Sequence, residues 1–373
     1  MNIYFVGLSD VPYKKRAIDI RLLSFARLFE SLGHSVCIVN RLSGIETCDM
    51  HIPENVSIKH VCNSKSLLSF IWSIIKEPFF LLKEHRKKRI DIIHVASGHY
   101  FDLIIYKLIA KVTKAKLIYH YCEYRSAFPN QNLYHRLNGR LINKSGPKIW
   151  DGAICISHFL EKKAKEYNGN VKTIIIPPIC DFNEFENIAP YNGEKKYILF
   201  CGSVGFTETI NLIIESYQKS KINKNLDLYF VLSGKDNDIS IVKQKTDNNT
   251  KYFKNLEYTK LISLFKGASA LLIPLRNTIQ DTARFPNKIC EYVASGGVVV
   301  TTKYGEMPHY FIDKYNALLS EDFSVKAYTS TLDWIDDNLD NLNIIKDNSY
   351  KNGMNSFNTY SYKDNIELFL KSL

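Results

Sequence analysis

The chain has 373 residues and a formal net charge of +11 at pH 7, with 45% hydrophobic and 23% charged residues. This balance excludes a disordered, collagen-like or disulfide-scaffold chain, and the length favours two domains. The surplus of 49 Lys and Arg over 38 Asp and Glu suits a phosphate-bearing ligand, a nucleic acid or an anionic membrane surface, although drift in an AT-rich genome also explains part of it.

Short β-branched runs alternate with segments of helical period in the first half of the chain. The predicted strands of this first series cover residues 2–8, 35–40, 91–96, 116–121, 152–157 and 173–178. Between the first two strands, Leu22, Phe25 and Phe29 fall on one face of a predicted helix, and Gly33 stands where a left-handed C-terminal cap belongs. The pattern indicates a strand, helix, strand unit.

A second series begins after a break rich in Pro, Asn, Glu and Gly near residues 178–195. Its predicted strands cover 197–204, 227–234, 270–275 and 297–302, and its predicted helices lie around 210–217, 261–265 and 288–294. Strands and helices at this spacing argue for parallel sheets with right-handed crossovers. We therefore expect an α/β fold of two doubly wound Rossmann-like domains, 1–185 and 186–373, with the last helix able to pack back on the first domain.

Parallel sheets bind ligands at the carboxyl ends of their strands, so we expect a site in the central cleft that two facing domains form. The loop after the first strand, residues 7–12, has no GxGxxG pattern, which argues against a nicotinamide or flavin enzyme. The eight cysteines form no CxxC pair, and the N-terminus lacks the features of a secretory signal. These features indicate a cytoplasmic protein with reduced thiols.

Lys288 and Glu291 lie three residues apart in a predicted helix that follows a polar loop. They share one face of the first turn, beside unpaired N–H groups and the positive end of the helix dipole. This pairing suits a nucleotide, because the Lys and the N–H groups can hold a diphosphate while the carboxylate accepts two ribose hydroxyls. The spacing fits a surface salt bridge equally well.

The run from Arg284 to Glu306 resembles the donor-binding segment of the family 4 retaining glycosyltransferases of the GT-B fold, in a branch that builds bacterial surface polysaccharides. Other stretches agree with the family in order. They are 21–39, 91–94, 154–157, 176–181, 200–203 and 316–319. The resemblance spans most of the chain and implies that Glu291 binds the ribose of a nucleotide-sugar donor.

The chain departs from the family where basic residues are expected. The usual Arg and Lys after the glycine of the Gly202 loop fall on Ser203 and about Glu208, and the first Glu of the usual E-x7-E pair falls on Ala283. A degenerate, inactive domain is one interpretation.

Other basic side chains can supply the lost charge at the diphosphate. The candidates for donor binding are Gly202, Ser203, Arg276, Arg284, Lys288 and Glu291, with Arg284 and Lys288 also catalytic. The Gly202 and Ser203 backbone N–H groups and the Ser203 hydroxyl would assist.

In the first domain, residues 116–125 resemble the segment in which the family delivers a His to the reacting sugar. Matching Glu123 to the family Glu puts Cys122 at the family His position, with His120 two residues earlier. The catalytic candidates here are His120, Glu123 and Arg125, with their individual roles open and a buried core histidine as the alternative for His120. The acceptor-side candidates are Gly7, Arg16 and Arg21.

The sequence gives no sign of a catalytic metal. The ten histidines form no HExxH or HxH pattern, and Asp236-Asn237-Asp238, which resembles a DxD metal motif, is predicted to be a turn. The resemblance implies fixed cations in place of a metal, and no cofactor beyond the nucleotide-diphosphate sugar.

Residues 67–89 combine an aromatic, apolar stretch with a basic end at Lys83, Arg86, Lys87, Lys88 and Arg89. The apolar part is broken by Lys76, Glu77 and Pro78 and cannot cross a bilayer. It fits a segment that lies in an anionic membrane interface, or a core helix with a solvated basic end.

The family resemblance, together with residues 67–89, implies a metal-independent retaining hexosyltransferase that moves a sugar from a nucleotide-diphosphate sugar onto a lipid-linked saccharide acceptor for O-antigen or capsule. It would be a peripheral protein on the inner face of the cytoplasmic membrane. A nucleotide-sugar 2-epimerase shares the architecture but would not need residues 67–89. A basic nucleic-acid-binding protein is the distant alternative, and no recognition helix, aromatic RNA motif or zinc module supports it.

Overall fold

The computed structural model describes residues 1–12, 17–42, 52–62, 66–129 and 131–373, except for the side chain of Leu67. The described residues form two compact units. The first comprises Met1–Ile179, Ala283–Phe285 and Thr359–Leu373, and the second comprises Cys180–Thr282 and Pro286–Asn358. The first unit therefore ends before the boundary predicted at residue 185, and it includes residues 359–373.

Strands and helices alternate through both units. The strands are β1 Asn2–Leu8, β2 Ser35–Leu42, β3 Val56–Cys62, β4 Ile92–Val95, β5 Lys116–Tyr121, β6 Gly152–Cys155, β7 Lys172–Ile175, β8 Tyr197–Ser203, β9 Asp227–Ser233, β10 Thr250–Phe253, β11 Ala270–Leu272, β12 Val299–Thr302 and β13 Leu318–Ser320. The α-helices are α1 Ala17–Glu30, α2 Leu67–Lys87, α3 Tyr100–Thr113, α4 Leu133–Ser145, α5 His158–Tyr167, α6 Asn183–Glu186, α7 Thr207–Lys219, α8 Asp236–Lys243, α9 Tyr258–Gly267, α10 Ile279–Ala283, α11 Lys288–Ala294, α12 Met307–Tyr310, α13 Val325–Asp337, α14 Leu342–Ser356 and α15 Lys363–Lys371.

The sheet of the first unit is parallel, with the strand order β3-β2-β1-β4-β5-β6-β7. The order reverses at β1, because β2 lies on one side of it and β4 on the other. Right-handed crossovers then place α1 on one face of the sheet and α2 to α5 on the other. Phe25 and Phe29 of α1 and Ile366 and Phe369 of α15 pack in one buried core with the strands.

The sheet of the second unit has the order β10-β9-β8-β11-β12-β13, again parallel, with the reversal at β8. Its core includes Phe200, Ile213, Leu272, Val300 and Tyr328, all buried between the sheet and its helices. The prediction of two doubly wound α/β domains is confirmed.

Two predictions about local structure are wrong. The sequence pattern does not predict β3, β10 and β13. All three are edge strands and are short or half-buried, so they lack the long apolar run of a central strand. Asp236-Asn237-Asp238 is the first turn of α8 instead of a turn between elements. Carboxylates are favourable there because the helix N-terminus carries a partial positive charge.

A buried ion network anchors α2 to the sheet. Glu77 accepts hydrogen bonds from Arg41 Nε and the Tyr106 hydroxyl, each at 2.7 Å, and from the Gly7 N–H at 3.3 Å. Arg41 also pairs with Asp102, its Nη2 lying 2.8 Å from Oδ1. Because the Arg41, Glu77 and Asp102 side chains are at most 5% exposed, each charge depends on the others for compensation.

The opposite face of α2 is apolar and exposed. Leu68 and Phe79 are 70% and 69% exposed, whereas Glu77 is fully buried. The interpretation of residues 67–89 as a core helix is therefore wrong. Among the described residues, no helix combines the length and apolar character of a membrane span.

A chain of hydrogen bonds links α1 to the sheet. Arg21 Nε donates to His120 Nε2 at 2.8 Å, and since an arginine N–H can only donate, the His120 proton lies on Nδ1 and points to His94 Nε2 at 3.0 Å. The two Nη atoms of Arg21 donate to the carbonyls of Ile176 and Pro177. Burial lowers the pKa of both histidines, that of His94 to about 3, so both rings are neutral.

We expect Glu77→Ala to lower the free energy of unfolding by roughly 3–5 kcal/mol, because it leaves Arg41 buried with one partner fewer. Glu166→Ala is the control in the same unit, since Glu166 of α5 is 39% exposed and pairs with Lys163 near the surface. Such pairs contribute about 0–1 kcal/mol. Chemical denaturation of both variants measures the difference, and equal losses would contradict the anchoring role.

The two buried histidines should make the protein acid-sensitive. Their folded pKa values lie below the unfolded value of about 6.5, so the stability they contribute is complete above pH 6.5 and falls as pH drops from there towards the folded pKa. In that window, each histidine lowers the free energy of unfolding by up to about 1.4 kcal/mol for every pH unit. In denaturation curves between pH 7.5 and 5, His94→Gln should show a shallower loss than the wild type. An unchanged slope would contradict this account.

Candidate active site

In the first unit, the strand order reverses between β1 and β4, and the residues that follow both strands lie close together. Gly7 has φ +77°, and a Cβ there would lie 2.6 Å from the Ser97 Cβ. Glycine therefore suits this position both for its backbone conformation and for the close approach. Ligands of such sheets bind at a reversal of this kind, which makes the Gly7 end of β1 a candidate site.

Glu123 and Arg125 follow β5 at the same edge of the sheet. Their side chains are partly exposed, and Arg125 Nη2 lies 3.9 Å from Glu123 Oε2. The Arg125 guanidinium covers Gly98, where a Cβ would lie 2.6 Å from its Nη1. The structure thus brings a carboxylate and a guanidinium together on the accessible side of the strand ends.

Arg21 and His120 are placed differently from Glu123 and Arg125. They are 1% and 4% exposed and bind each other in the chain to His94. Strand β5 ends at Tyr121, so Cys122 does not continue the strand face of His120. The arrangement corresponds to the buried-histidine alternative for His120. Arg16 lies outside the described residues.

In the second unit, the structure brings Lys288 and Glu291 together. Lys288 Nζ donates to Glu291 Oε2 at 2.7 Å. Glu291 is 1% exposed, so the pair is not a surface salt bridge. Burial alone would lower the pKa of Lys288, but the Glu291 carboxylate raises it above its ordinary value. The second oxygen, Oε1, is buried without a hydrogen-bond partner among the described residues.

Packing fixes helix α11, which carries this pair, beside the end of β8. The Cys201 N–H donates to the Tyr292 hydroxyl at 3.0 Å. A Cβ on Gly353 of α14 would lie 2.1 Å from the Val293 Cγ1, so α14 approaches α11 closely. Gly202 and Ser203 end β8, and the Ser203 hydroxyl accepts the Gly205 N–H at 3.2 Å. The candidate donor residues of this unit therefore lie around the reversal at β8.

Two carboxylates bind Arg276, and the sequence pattern predicts neither contact. Arg276 Nε donates to Asp281 at 2.9 Å and its Nη1 to Glu208 at 3.0 Å. Glu208, at the approximate position of the family Lys, thus neutralises a neighbouring arginine. The contact to Glu208 joins residues far apart in sequence, and no periodic spacing reveals it. Arg284 belongs to the first unit and is partly buried.

The comparisons with known proteins agree with this architecture. Residues 181–352 match the family described as Glycosyl transferases group 1. No curated protein sequence matches the chain.

Three solved structures illustrate the similarity in fold. Sucrose-phosphate synthase from Thermosynechococcus elongatus has a TM-score of 0.78 and 11% identity, over 100% of this chain and 98% of that chain. HepE from Anabaena, solved in complex with UDP, has a TM-score of 0.72 and 14% identity over 100% of both chains. The apo form of the lipopolysaccharide outer core galactosyltransferase WaaB has a TM-score of 0.64 and 11% identity over 100% of both chains.

The family match covers most of the second unit, and the α/β fold of two parallel-sheet units is that of the GT-B glycosyltransferases. The match over residues 181–352 and the fold of the whole chain together indicate a glycosyltransferase of the GT-B fold.

Proposed function

We propose that the protein is a retaining glycosyltransferase of family 4 that takes its sugar from a nucleotide-diphosphate donor. The observation that carries this proposal is the buried Glu291 carboxylate, with one oxygen bound to Lys288 and the other without a partner in the described structure. An unsatisfied buried acceptor favours a ligand that donates hydrogen bonds. The vicinal hydroxyls of a ribose supply such donors, and HepE has been solved with UDP-glucose.

Lys288 and Arg284 are the proposed catalytic cations at the leaving diphosphate. Lys288 has three N–H donors and uses one on Glu291, which leaves two for phosphate oxygens. Arg276 is a weaker candidate because Asp281 and Glu208 already occupy its donors. Charge on the diphosphate grows as the bond from the sugar C1 breaks, so these cations stabilise the transition state more than the ground state.

The proposed transfer proceeds on one face of the sugar. The bond between C1 and the phosphate oxygen breaks, the acceptor oxygen bonds to C1 on the same face, and the acceptor proton passes to the departing phosphate. Side-chain cations neutralise the phosphate in this scheme, with no catalytic metal and no cofactor besides the donor. Glu123 and Arg125 are the proposed contacts of the acceptor hydroxyls, with Gly7 at the adjoining strand end. The buried hydrogen bond between Arg21 and His120 holds this edge of the sheet in position.

The proposed acceptor is a lipid-linked saccharide of O-antigen or capsule synthesis, reached from the inner face of the cytoplasmic membrane. WaaB, named for lipopolysaccharide outer core synthesis, shares the fold. Helix α2 supports membrane contact because its exposed face is apolar while Glu77 and Glu84 are buried, and its end is basic. Residues 67–89 would therefore dock on anionic lipid.

Glu291→Gln should weaken nucleotide binding because the neutral amide accepts hydrogen bonds less strongly than a carboxylate. Bonds to charged groups contribute about 1.5–3 kcal/mol, so we expect a loss of roughly tenfold or more in affinity. Calorimetric titration with UDP, GDP and dTDP measures it. Glu215→Gln is the control, an exposed carboxylate on α7 of the same unit, and should bind as the wild type does. Unchanged affinity in Glu291→Gln would refute the ribose assignment.

Lys288→Gln and Arg284→Gln should reduce turnover more than they reduce binding of the sugar nucleotide. The reason is that their charge is needed most when the diphosphate leaves. Single-turnover transfer rates and donor dissociation constants, measured on the same preparations, separate the two effects. Equal losses in both would indicate uniform binding of donor and transition state, and no loss would place the diphosphate elsewhere.

A further inference from the structure

Most of the exposed large apolar side chains in the described part of the chain lie on three neighbouring helices of the first unit. On α2 they are Leu68, Ile71, Trp72, Ile75 and Phe79; on α3, Phe101, Ile104, Leu108 and Val112; on α4, Leu133, Tyr134, Leu137 and Leu141. We call these side chains the α2–α4 apolar surface. Large contiguous apolar patches on monomeric soluble proteins usually mark interaction sites.

The three helices lie side by side. Helix α2 packs on α3, and α3 packs on α4. They connect strands that follow one another in the same direction across the sheet, from β3 to β4, β4 to β5 and β5 to β6, so right-handed crossovers place them on one face. The exposed apolar side chains therefore lie on one side of the first unit and extend well beyond residues 67–89.

On these helices the negatively charged side chains are buried and the exposed charged side chains are positive. The acidic residues of α2 and α3 are Glu77, Glu84 and Asp102, which are all buried and ion-paired, and α4 has no acidic residue. The exposed charged side chains on the three helices are Lys76, Lys83, Arg86, Lys87, Lys111, Arg136, Arg140 and Lys144. The surface thus presents apolar groups interspersed with positive charge alone.

We propose that the whole α2–α4 apolar surface, and not α2 alone, docks on an anionic lipid bilayer. Apolar side chains would enter the interface while the basic side chains reach the headgroup phosphates. A second copy of the chain fits less well, because a self-contact would place the same positive charges opposite one another. This inference rests on the proposed function only for its purpose, which is to bring the enzyme to a lipid-linked acceptor.

The test is vesicle flotation of the full chain with phosphatidylglycerol-containing vesicles and with pure phosphatidylcholine vesicles. The α3–α4 variant is Phe101→Ser, Leu108→Ser and Leu137→Ser, which leaves α2 intact. The control variant is Ile241→Ser, Ile344→Ser and Leu368→Ser, three side chains between 54% and 67% exposed on other elements. A charge variant changes Lys111, Arg136 and Arg140 to Gln.

The wild type should bind the anionic vesicles and prefer them to the neutral ones, and raised salt should weaken binding. The α3–α4 variant and the charge variant should each lose about tenfold or more in vesicle affinity, while the control variant binds as the wild type does. Melting temperatures should stay nearly constant, because the replaced side chains are exposed already.

Wild-type affinity in the α3–α4 variant would overturn the proposal, as would an equal loss in the control variant. Absence of vesicle binding together with a dimer that the α3–α4 variant dissociates would assign the surface to a second copy instead. Nucleotide affinity, measured without lipid, should be the same in all of these variants. A failure of the Glu291 prediction would therefore leave the vesicle result standing, and the reverse also holds.

Discussion

The ion pair between Arg41 and Glu77 determines which face of helix α2 the first unit exposes to solvent. Two charges placed out of water require each other, and Glu77 also receives the Gly7 N–H and the Tyr106 hydroxyl. The polar face of α2 is thereby directed towards the sheet and its apolar face towards the outside. One buried carboxylate thus connects the exposed surface of α2 with the end of β1 at Gly7.

The two units repeat one plan with different chemistry. In each, the strand order reverses at the first strand. The candidate residues lie at the end of β1 and after β5 in the first unit, and at the end of β8 and after β11 in the second. In the first unit the candidate pair is a partly exposed carboxylate and guanidinium, Glu123 and Arg125. In the second unit the candidate pair is Lys288 and Glu291, and the Glu291 carboxylate is buried. The difference is in keeping with the proposed assignment of acceptor contacts to the first unit and of the nucleotide ribose to the second.

The sequence predicts the central strands because most of their residues are apolar and buried. The edge strands β3 and β10 are half-buried, and polar residues such as Lys59 and Lys251 interrupt their pattern. Periodicity shows that α2 has an apolar face but not which way that face points, since the orientation depends on Arg41, a residue far away in the chain. The same limit applies to Arg276, whose contact with Glu208 is visible in three dimensions alone.

Helix α15 adds a constraint on the order in which the chain can fold during synthesis. Ile366, Phe369 and Leu370 complete the core of the first unit, and a Cβ on Gly152 would lie 2.8 Å from the Phe369 ring. The face of the first sheet beneath α15 therefore stays uncovered while the ribosome makes the whole second unit. Residues 180–358 can finish folding first, although they are translated later, and the first unit must remain competent to accept its last helix. Apolar surface on the nascent first unit is thus exposed for as long as elongation takes, a period in which chaperone binding and aggregation compete for it.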